Sequence, residues 1–441
     1  MTGYSSWGLP LGGNQSASRP SWCPADSYDL TPDTGISTLL AFGNGRSYGD
    51  SCMNCPGTII DCRSLNRFVY FDSVNGQLTI ECGVLFNDII NQFLPKGWFL
   101  PVTPGTRFVT VGGAIANDVH GKNHHRRGTL GQHIVNLQLL RSNGELLNCS
   151  NVENSDLFNA TIGGLGLTGL ITTATIQLMP VQSATMDTLT LPFNSVEEFV
   201  SLSRQYDESH EYSVAWLDCL NTSATSMRGL LYCANHSSAS DSYDMSSFRL
   251  TKPRLSIPCH MPSFTLNRYS VALFNQLYYR AGKRKTGKST QSLQSFFYPL
   301  DGLNHWNRIY GKDGFFQYQF TVPESQTAAF QRILDMLAKE ASPSFLTVLK
   351  LFGNKESPGM LSFPQPGLCL ALDLSHRGEK TLQLLDRLDQ EVIHAGGSVY
   401  PAKDRRMSAE AFRTFFPRLD EFNRYVDPSF CSDFWRRVTD Q

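Results

Sequence analysis

The sequence predicts an α+β protein with more than one domain. The chain has 441 residues, which exceeds the usual size of a single domain. Two Asn-Gly pairs in its first part each separate strand-like runs, a pattern typical of antiparallel hairpins. Further along, strand-like and helix-like runs alternate over 189–218 and 315–399. Together these observations predict hairpins in the first part and a sheet backed by helices in the second.

The first part of the chain contains two predicted hairpins and one predicted helix. The hairpins join strand 68–72 to 77–82 through Asn75-Gly76, and strand 134–141 to 145–149 through Asn143-Gly144. Apolar residues at helical spacing predict a helix over 85–94, which ends before Pro95. A buried strand over 58–62 precedes these elements, and a strand over 170–179 follows them.

The later alternation predicts one antiparallel sheet with helices on a single face. The predicted helices are 196–206, 325–341 and 381–395, and the predicted strands are 189–191, 212–218, 315–322, 345–351 and 368–374. Asn194 or Ser195 can cap the first helix. The last helix places Leu382, Leu385, Leu388 and Val392 on one face.

Composition and charge are typical of a soluble globular protein and exclude some functions. The formal net charge of −1 provides no overall attraction to nucleic acid. The 11 cysteines are scattered and odd in number, so we expect reduced thiols in a cytoplasm-facing protein rather than a disulfide framework. The N-terminus lacks a signal-peptide pattern, and no stretch approaches the ~20 apolar residues of a membrane span. Cys52 and Cys55 have no second ligand pair nearby, so no metal site is expected.

The stretch 104–125 combines glycines with titratable side chains. It reads P-G-T-R-F-V-T-V-G-G-A-I-A-N-D-V-H-G-K-N-H-H. Backbone at Gly105, Gly112 and Gly113 can approach a phosphate closely. The polar tail contains Asp118, His120, Lys122, Asn123, His124 and His125. The stretch is either a cofactor loop that continues towards a substrate, or a Gly-rich turn ahead of a surface His/Lys loop.

Two other glycine-rich loops support the first interpretation. Three glycines and Arg46 within 43–49 suggest a loop that holds an anion. The run 164–169 matches G-x-G-x-x-G, but a helix precedes it and a strand follows, the reverse of a nicotinamide-binding fingerprint. It is better interpreted as a tight turn against a cofactor.

The run 280–288 has five basic residues among nine and follows an aromatic-rich stretch. It predicts either contact with an anionic lipid surface or a solvated, flexible loop, and the loop is the preferred interpretation.

Taken together, the motifs resemble the vanillyl-alcohol-oxidase type of flavin oxidoreductases. The matching motifs are G-N-G-R-S-Y-G-D (43–50), P-G-T-R-x-V-T-V-G-G-A-I-A (104–116) and I-G-G-L-G-L-T-G-L-I (162–171). More narrowly, the chain resembles the family of decaprenylphosphoryl-β-D-ribose 2-oxidases. That resemblance adds H-G-K-N-H-H (120–125), W-N-R-I-Y-G (306–311), F-Q-Y-Q-F (316–320), L-K-L-F-G (349–353), L-S-F-P-Q-P-G (361–367) and Y-P-A-K-D-R (400–405).

The resemblance implies a two-part FAD-binding domain, 1–183 with 398–441, and an α+β substrate domain over 184–397. The residues that it implies for cofactor binding are Gly43, Asn44, Gly45, Arg46, Ser47, Tyr48, Gly49, Gly105, Thr106, Thr110, Val111, Gly112, Gly113, Asn117, His120, Ile171 and Tyr400. Many relatives attach the flavin covalently through a His in the first loop. Tyr48 stands at that position here, so we expect non-covalent FAD.

The implied reaction is FAD-dependent oxidation of the 2-hydroxyl of a polyprenylphosphoryl-β-D-ribose to the 2-keto sugar, the first half of an epimerisation that serves cell-wall arabinan synthesis. The alternative is oxidation of a soluble sugar or alditol. Implied partners are a lipid-linked sugar phosphate as substrate, a short-chain reductase for the keto product, and quinone or oxygen as electron acceptor. The expected location is cytoplasmic, with peripheral contact at the inner membrane face.

The candidate catalytic residues are Lys403, as the group that contacts the reacting hydroxyl, and His120. Each has a structural alternative, a surface lysine and a histidine packed beside the flavin. The candidate substrate-binding residues are Tyr48, Lys122, Gln317, Gln319 and Lys350. Alternation along a strand places Gln317 and Gln319 on the same side. Mycobacterial relatives carry a pocket Cys where Ala371 stands, and Cys369 lies two positions earlier.

Overall fold

The computed structural model describes residues 4–8, 16–18, 38–221, 227–238, 245, 248–253, 255–340 and 343–439. The strands, in chain order, are β1 Ser16–Ser18, β2 Leu39–Phe42, β3 Thr58–Asp61, β4 Phe68–Asp72, β5 Gln77–Glu81, β6 Trp98–Phe99, β7 Ile134–Leu140, β8 Leu146–Ser150, β9 Leu170–Gln177, β10 Met179–Pro180, β11 Thr185–Phe193, β12 Tyr212–Leu217, β13 Gly229–His236, β14 Leu255–Ser256, β15 Gly287–Ser292, β16 Leu303–Asn304, β17 Phe315–Val322, β18 Thr347–Phe352, β19 Gly367–Ser375 and β20 Ser398–Val399.

The α-helices, also in chain order, are α1 Phe86–Phe93, α2 Val111–Ala116, α3 His124–Arg127, α4 Ser155–Thr161, α5 Val196–Asp207, α6 Arg268–Lys283, α7 Leu293–Phe297, α8 Thr327–Glu340, α9 Glu379–His394, α10 Ala409–Phe415, α11 Leu419–Phe422 and α12 Asp433–Thr439. Within the described ranges, no helix is long and apolar enough to cross a membrane.

The first part of the chain forms a five-stranded antiparallel sheet in the order β4-β5-β9-β7-β8. Both predicted hairpins are present in it. Asn75 donates to the Asp72 carboxylate at 2.7 Å, and Gly76 and Gly144 take the left-handed φ values of 70° and 84° that such turns require. The predicted helix over 85–94 is confirmed as α1.

The later part forms an eight-stranded antiparallel sheet in the order β15-β11-β13-β12-β18-β19-β17-β20. Helices α5, α8 and α9 bury apolar residues against one face, so the predicted α+β architecture is confirmed. The opposite face carries polar side chains, among them Gln317, Gln319 and Lys350. These polar residues face a cavity.

The preferred interpretation of the basic run 280–288 as a flexible loop is wrong. Arg280 to Lys283 form the last turn of α6, and Gly287 begins β15, which pairs with β11. The apolar and aromatic residues before the basic run have helical spacing and a capping box at Asn267, so the helix extends into the basic residues.

The C-terminal segment returns to the start of the chain. Leu39 donates to Ser429 O and accepts from Cys431 N, and the Arg437 guanidinium pairs with the Asp50 carboxylate. The segment carrying Tyr400 and Lys403 is therefore held beside the first glycine-rich loop. The predicted domain boundaries at 183/184 and 397/398 remain a prediction.

Candidate active site

One cavity of about 890 Å³ brings together the glycine-rich loops, the polar face of the large sheet and residues 400–403. This volume lies towards the upper end of the range for cofactor and small-molecule sites. Every predicted site residue except Gly49 and Val111 lines it. Segments more than 300 residues apart in sequence thus share one site.

All six residues of the loop over 43–48 line the cavity. Tyr48 N donates to Ala402 O at 3.0 Å, and Asn44 donates to Phe108 O at 2.7 Å. The Arg46 guanidinium stacks 4.1 Å above the Trp7 ring, and its Nε has no partner among the described residues. The loop therefore keeps a cation on the cavity wall.

The stretch over 105–117 adds a second open wall. Thr110 caps α2 by accepting from Gly113 N at 3.3 Å, which holds Gly112 and Gly113 at the cavity surface. A Cβ on Gly105 would meet no protein atom within 4 Å. The buried Asn117 Oδ1 has no partner within the described ranges.

The turn over 164–169 follows helix α4 and precedes strand β9. A nicotinamide-binding fingerprint has the strand first and the helix second, so this order argues against such a site. Gly166 and Gly169 take φ values of 78° and 133° and line the cavity together with Ile171. The turn therefore contributes backbone where the sequence predicted a cofactor contact.

Strand register aligns the polar wall opposite these loops. Gln319 on β17 pairs with Ala371 on β19, and Cys369 pairs with Lys350 on β18. Gln317 and Gln319 both line the cavity, as strand alternation predicts.

His120 lies where the glycine stretch meets this wall. Its Nδ1 lies 3.3 Å from Lys350 Nζ, and its Nε2 lies 2.8 Å from the Gln319 amide nitrogen. Burial, with the nearby Lys350 and Lys403, holds the His120 pKa well below its usual value, so the ring is neutral. A neutral ring that accepts from Lys350 carries its proton on Nε2. A 180° rotation of the Gln319 amide turns its unpartnered oxygen towards that proton.

Lys403 lies on the cavity wall near two aromatic rings. Its Nζ lies 5.5 Å from the Tyr48 ring centroid and 5.9 Å from that of Tyr400. Burial and the charge of Lys350 lower the Lys403 pKa to about 8. A fraction of Lys403 is therefore an uncharged amine at neutral pH and can accept a proton.

Asp373 lies behind the wall and orients one glutamine. The fully buried carboxylate accepts from Gln317 Nε2 at 2.7 Å and from Tyr310 Oη at 3.2 Å. Burial raises the Asp373 pKa to about 7. The sequence analysis missed Asp373. Its i+4 spacing from Cys369 on the predicted strand indicates that the two side chains lie on the same face of the sheet.

Lys122 lines the cavity, but its ammonium group already has partners within the protein. It donates to Phe296 O and lies 4.5 Å from the Phe296 ring centroid. Burial and Lys350 lower the Lys122 pKa to about 7. Burial also lowers the Lys350 pKa, to about 8. The site therefore combines three lysines, Lys122, Lys350 and Lys403, whose pKa values are all below normal.

Two predicted cofactor residues have other roles. The Val111 side chain is fully buried in the core, and only its neighbours reach the cavity. A Cβ on Gly49 would lie 1.6 Å from Asp404 O, so Gly49 allows the C-terminal segment to pack against the loop.

Several residues of the polar tail are structural instead of facing a substrate. Asp118 accepts from Gly131 N and from two serine hydroxyls, at Ser357 and Ser362. The His124 ring packs 4.4 Å from the Phe352 ring, and burial lowers the His124 pKa to about 3. Only His120 and Lys122 of the tail line the cavity, because the others turn towards neighbouring loops.

Ala371 and Cys369 both line the cavity. The cavity wall therefore still contains a thiol, two residues along β19 from the position at which mycobacterial relatives are expected to carry it. The Cys369 Sγ lies 3.3 Å from the Gln319 side-chain amide.

These features fit FAD. Backbone and glycines leave space for a large planar and phosphorylated ligand, while Arg46 Nε and Asn117 Oδ1 offer unsatisfied polar atoms. Residues 33–150 match the FAD binding domain family. The protein is thus an FAD-dependent oxidoreductase.

The chain belongs to the family of decaprenylphosphoryl-β-D-ribose oxidases. It is 37% identical over 420 residues to the decaprenylphosphoryl-beta-D-ribose oxidase of Mycolicibacterium smegmatis, an alignment covering 92% of this chain and 90% of the relative. An uncharacterized protein in the mprA 5′ region of Streptomyces coelicolor is 34% identical, with 78% of this chain and 97% of the relative covered. L-gulonolactone oxidase of Mus musculus is 34% identical over 31% of each chain.

Proposed function

We propose that the protein oxidises the 2-hydroxyl of a polyprenylphosphoryl-β-D-ribose to the 2-keto sugar with FAD. One observation carries the proposal: Lys403, His120, Gln317, Gln319 and Lys350 meet on the wall of the cavity that the flavin-family loops also line. Near-full-length similarity to a named ribose oxidase supports the substrate class.

The proposed chemistry needs one proton acceptor beside the reacting carbon. When bound, FAD supplies the acceptor for the hydride that leaves the carbinol carbon. Lys403 takes the hydroxyl proton onto Nζ, which leaves a ketone. Its unusually low pKa makes the free amine available at neutral pH.

The remaining polar residues position the sugar. The Gln317 oxygen and the Gln319 amide hold ring hydroxyls, with Asp373 fixing the Gln317 amide and neutral His120 fixing that of Gln319. Lys350 and Lys122 supply positive charge for the substrate phosphate, although the Lys122 contact with Phe296 must then loosen. A sugar with an attached phosphate satisfies both groups better than a neutral alditol.

We propose that FAD is held without a covalent bond. Tyr48 occupies the loop position at which many relatives use histidine, and its ring packs edge-on against Phe315 at 5.6 Å. Acid precipitation should release the yellow chromophore into the supernatant. A chromophore that remains with the protein would contradict this proposal.

The partners follow from the reaction. The keto product requires a reductase of the short-chain type to complete the epimerisation, and the reduced flavin requires quinone or oxygen. A lipid-linked substrate places the enzyme at a membrane surface, and we propose the cytoplasmic side. The free thiols of all cysteines in the described ranges support a reducing compartment.

A substrate panel tests the proposal. The purified flavoprotein is mixed without oxygen with polyprenylphosphoryl-ribose, with ribose phosphate lacking the lipid, and with neutral sugars and alditols. Rapid flavin bleaching by the first compound, with 2-keto product detected by mass spectrometry, is expected. Faster bleaching by a free sugar or alditol would favour the soluble-substrate alternative and overturn the proposal.

A further inference from the structure

Exposed apolar side chains are concentrated at one place among the described residues. Seven of the twelve large apolar side chains that are exposed lie between 255 and 278. They are Leu255, Phe264, Tyr269, Leu273, Phe274, Leu277 and Tyr278. Such a concentration indicates an interaction surface.

Helix α6 presents most of this surface. Tyr269, Leu273 and Leu277 recur every fourth residue and are 87%, 62% and 58% exposed. Only Val271 and Asn275 of the helix are buried. The helix therefore lies against the sheet along a narrow stripe and leaves a wide apolar face uncovered.

Positive charge adjoins this face. Residues 245–300 contain no Asp or Glu, although the whole chain has a net charge of −1. The basic cluster at the end of α6 consists of Arg280, Lys283, Arg284, Lys285 and Lys288. Within the described part of the chain, none of these five takes part in a salt bridge. A second copy of the same surface would bring like charges together, whereas an anionic surface complements them.

The same helix borders the cavity. The cavity wall includes Tyr278, Ala281 and Gly282 of the helix and Lys285 just beyond its end, and the Tyr278 ring packs 4.8 Å from the Trp216 ring. One side of α6 thus faces solvent with apolar residues, while the adjacent side forms the rim of the active site.

We propose that α6 docks on an anionic lipid bilayer, with Tyr269, Leu273 and Leu277 inserted at the level of the headgroups and the basic cluster on the lipid phosphates. An amphipathic helix with this pairing of apolar and basic faces binds in the interfacial plane. The cavity rim then faces the bilayer, so a lipid-linked sugar enters while its lipid tail stays in the membrane. The entry of substrate rests on the proposed function, but the docking does not.

Vesicle co-sedimentation of the full FAD-loaded protein tests the docking. Wild type should bind vesicles that contain phosphatidylglycerol and should bind vesicles of phosphatidylcholine alone far more weakly. The double variant L273S/L277S should lose most of this binding. The control V74S/V152S removes two apolar residues elsewhere that are even more exposed, and it should bind like wild type. Replacing Arg280, Lys283 and Arg284 by Gln should weaken binding roughly fivefold per charge removed.

The activity assay separates this inference from the proposed function. L273S/L277S should oxidise detergent-solubilised polyprenylphosphoryl-ribose at the wild-type rate but oxidise the vesicle-embedded substrate more slowly. Equal vesicle binding by wild type and L273S/L277S would overturn the docking and leave the function intact. Disappearance of the binding together with loss of a wild-type dimer, measured by analytical ultracentrifugation, would assign the surface to a second copy and also overturn it. Vesicle binding without any ribose oxidation would sustain the docking and reject the function.

Discussion

Removal of the Lys403 amine is expected to slow flavin reduction strongly and to change the affinity for substrate much less. Lys403→Ala deletes the proposed proton acceptor. Lys403→Arg keeps a positive charge but cannot lose its proton near neutral pH. Both variants should therefore be slow, and only the alanine variant leaves room for a small external amine.

The magnitude follows from the depressed pKa. A pKa of about 8 instead of 10.5 raises the fraction of free amine at pH 7 by about 300-fold, to roughly one-tenth of the molecules. A positioned general base contributes about 10²–10⁴-fold to rate, which corresponds to about 3–5 kcal/mol of activation free energy. Reduction by wild type should rise about tenfold per pH unit below the pKa and level off above about pH 8.

Anaerobic stopped-flow measurement of flavin bleaching checks this expectation. Both Lys403 variants should lose the rise in rate towards pH 8, and methylamine should restore part of the rate of Lys403→Ala. Substrate dissociation constants should change far less than the reduction rates. An unchanged reduction rate, or a wild-type pH profile that persists in both variants, would refute Lys403 as the base.

Three further changes test how the fold supports the site. Gly105→Ala should weaken FAD binding by about tenfold without changing the melting temperature of the FAD-free chain, because the new Cβ meets no protein atom within 4 Å but lies on the cavity wall. Gly302→Ala adds an equally unobstructed Cβ outside the cavity lining and should change neither FAD binding nor the melting temperature. Equal effects of the two substitutions would contradict the reasoning. Asp118→Ala should lower the free energy of unfolding by about 3 kcal/mol or more, because three hydrogen-bond donors lose their acceptor and alanine must adopt a φ of 38°. A loss below about 1 kcal/mol in urea denaturation would contradict this structural role of Asp118. Lys403→Met should raise the melting temperature at pH 7, because folding buries a charged ammonium there, as the folded pKa of about 8 against the ordinary 10.5 indicates. This advantage should shrink as pH rises from 8 to 10.5, and a constant advantage would contradict it.

Local patterns were sufficient to predict most of the architecture. The Asn-Gly turns, the alternation along strands and the periodicity of α1, α5 and α9 depend on neighbouring residues only, since backbone sterics and amphipathic spacing act over a few positions. The glycine-rich loops also predicted where backbone would line a cavity. The one segment predicted wrongly, 280–288, was polar enough to resemble a loop, although the capping box at Asn267 begins a helix that continues to Lys283.

Contacts between distant segments account for the rest. Lys350 reaches His120 across 230 sequence positions, and Gly49 is required by the carbonyl of Asp404. No local pattern encodes such neighbours, because they arise only when both sheets and the C-terminal segment pack together. The same packing removes water from Lys403 and Asp373 and shifts their pKa values towards neutrality. Residue types thus identified the chemical groups of the site, while packing set their protonation, their orientation and the separate structural roles of Val111, Asp118 and His124.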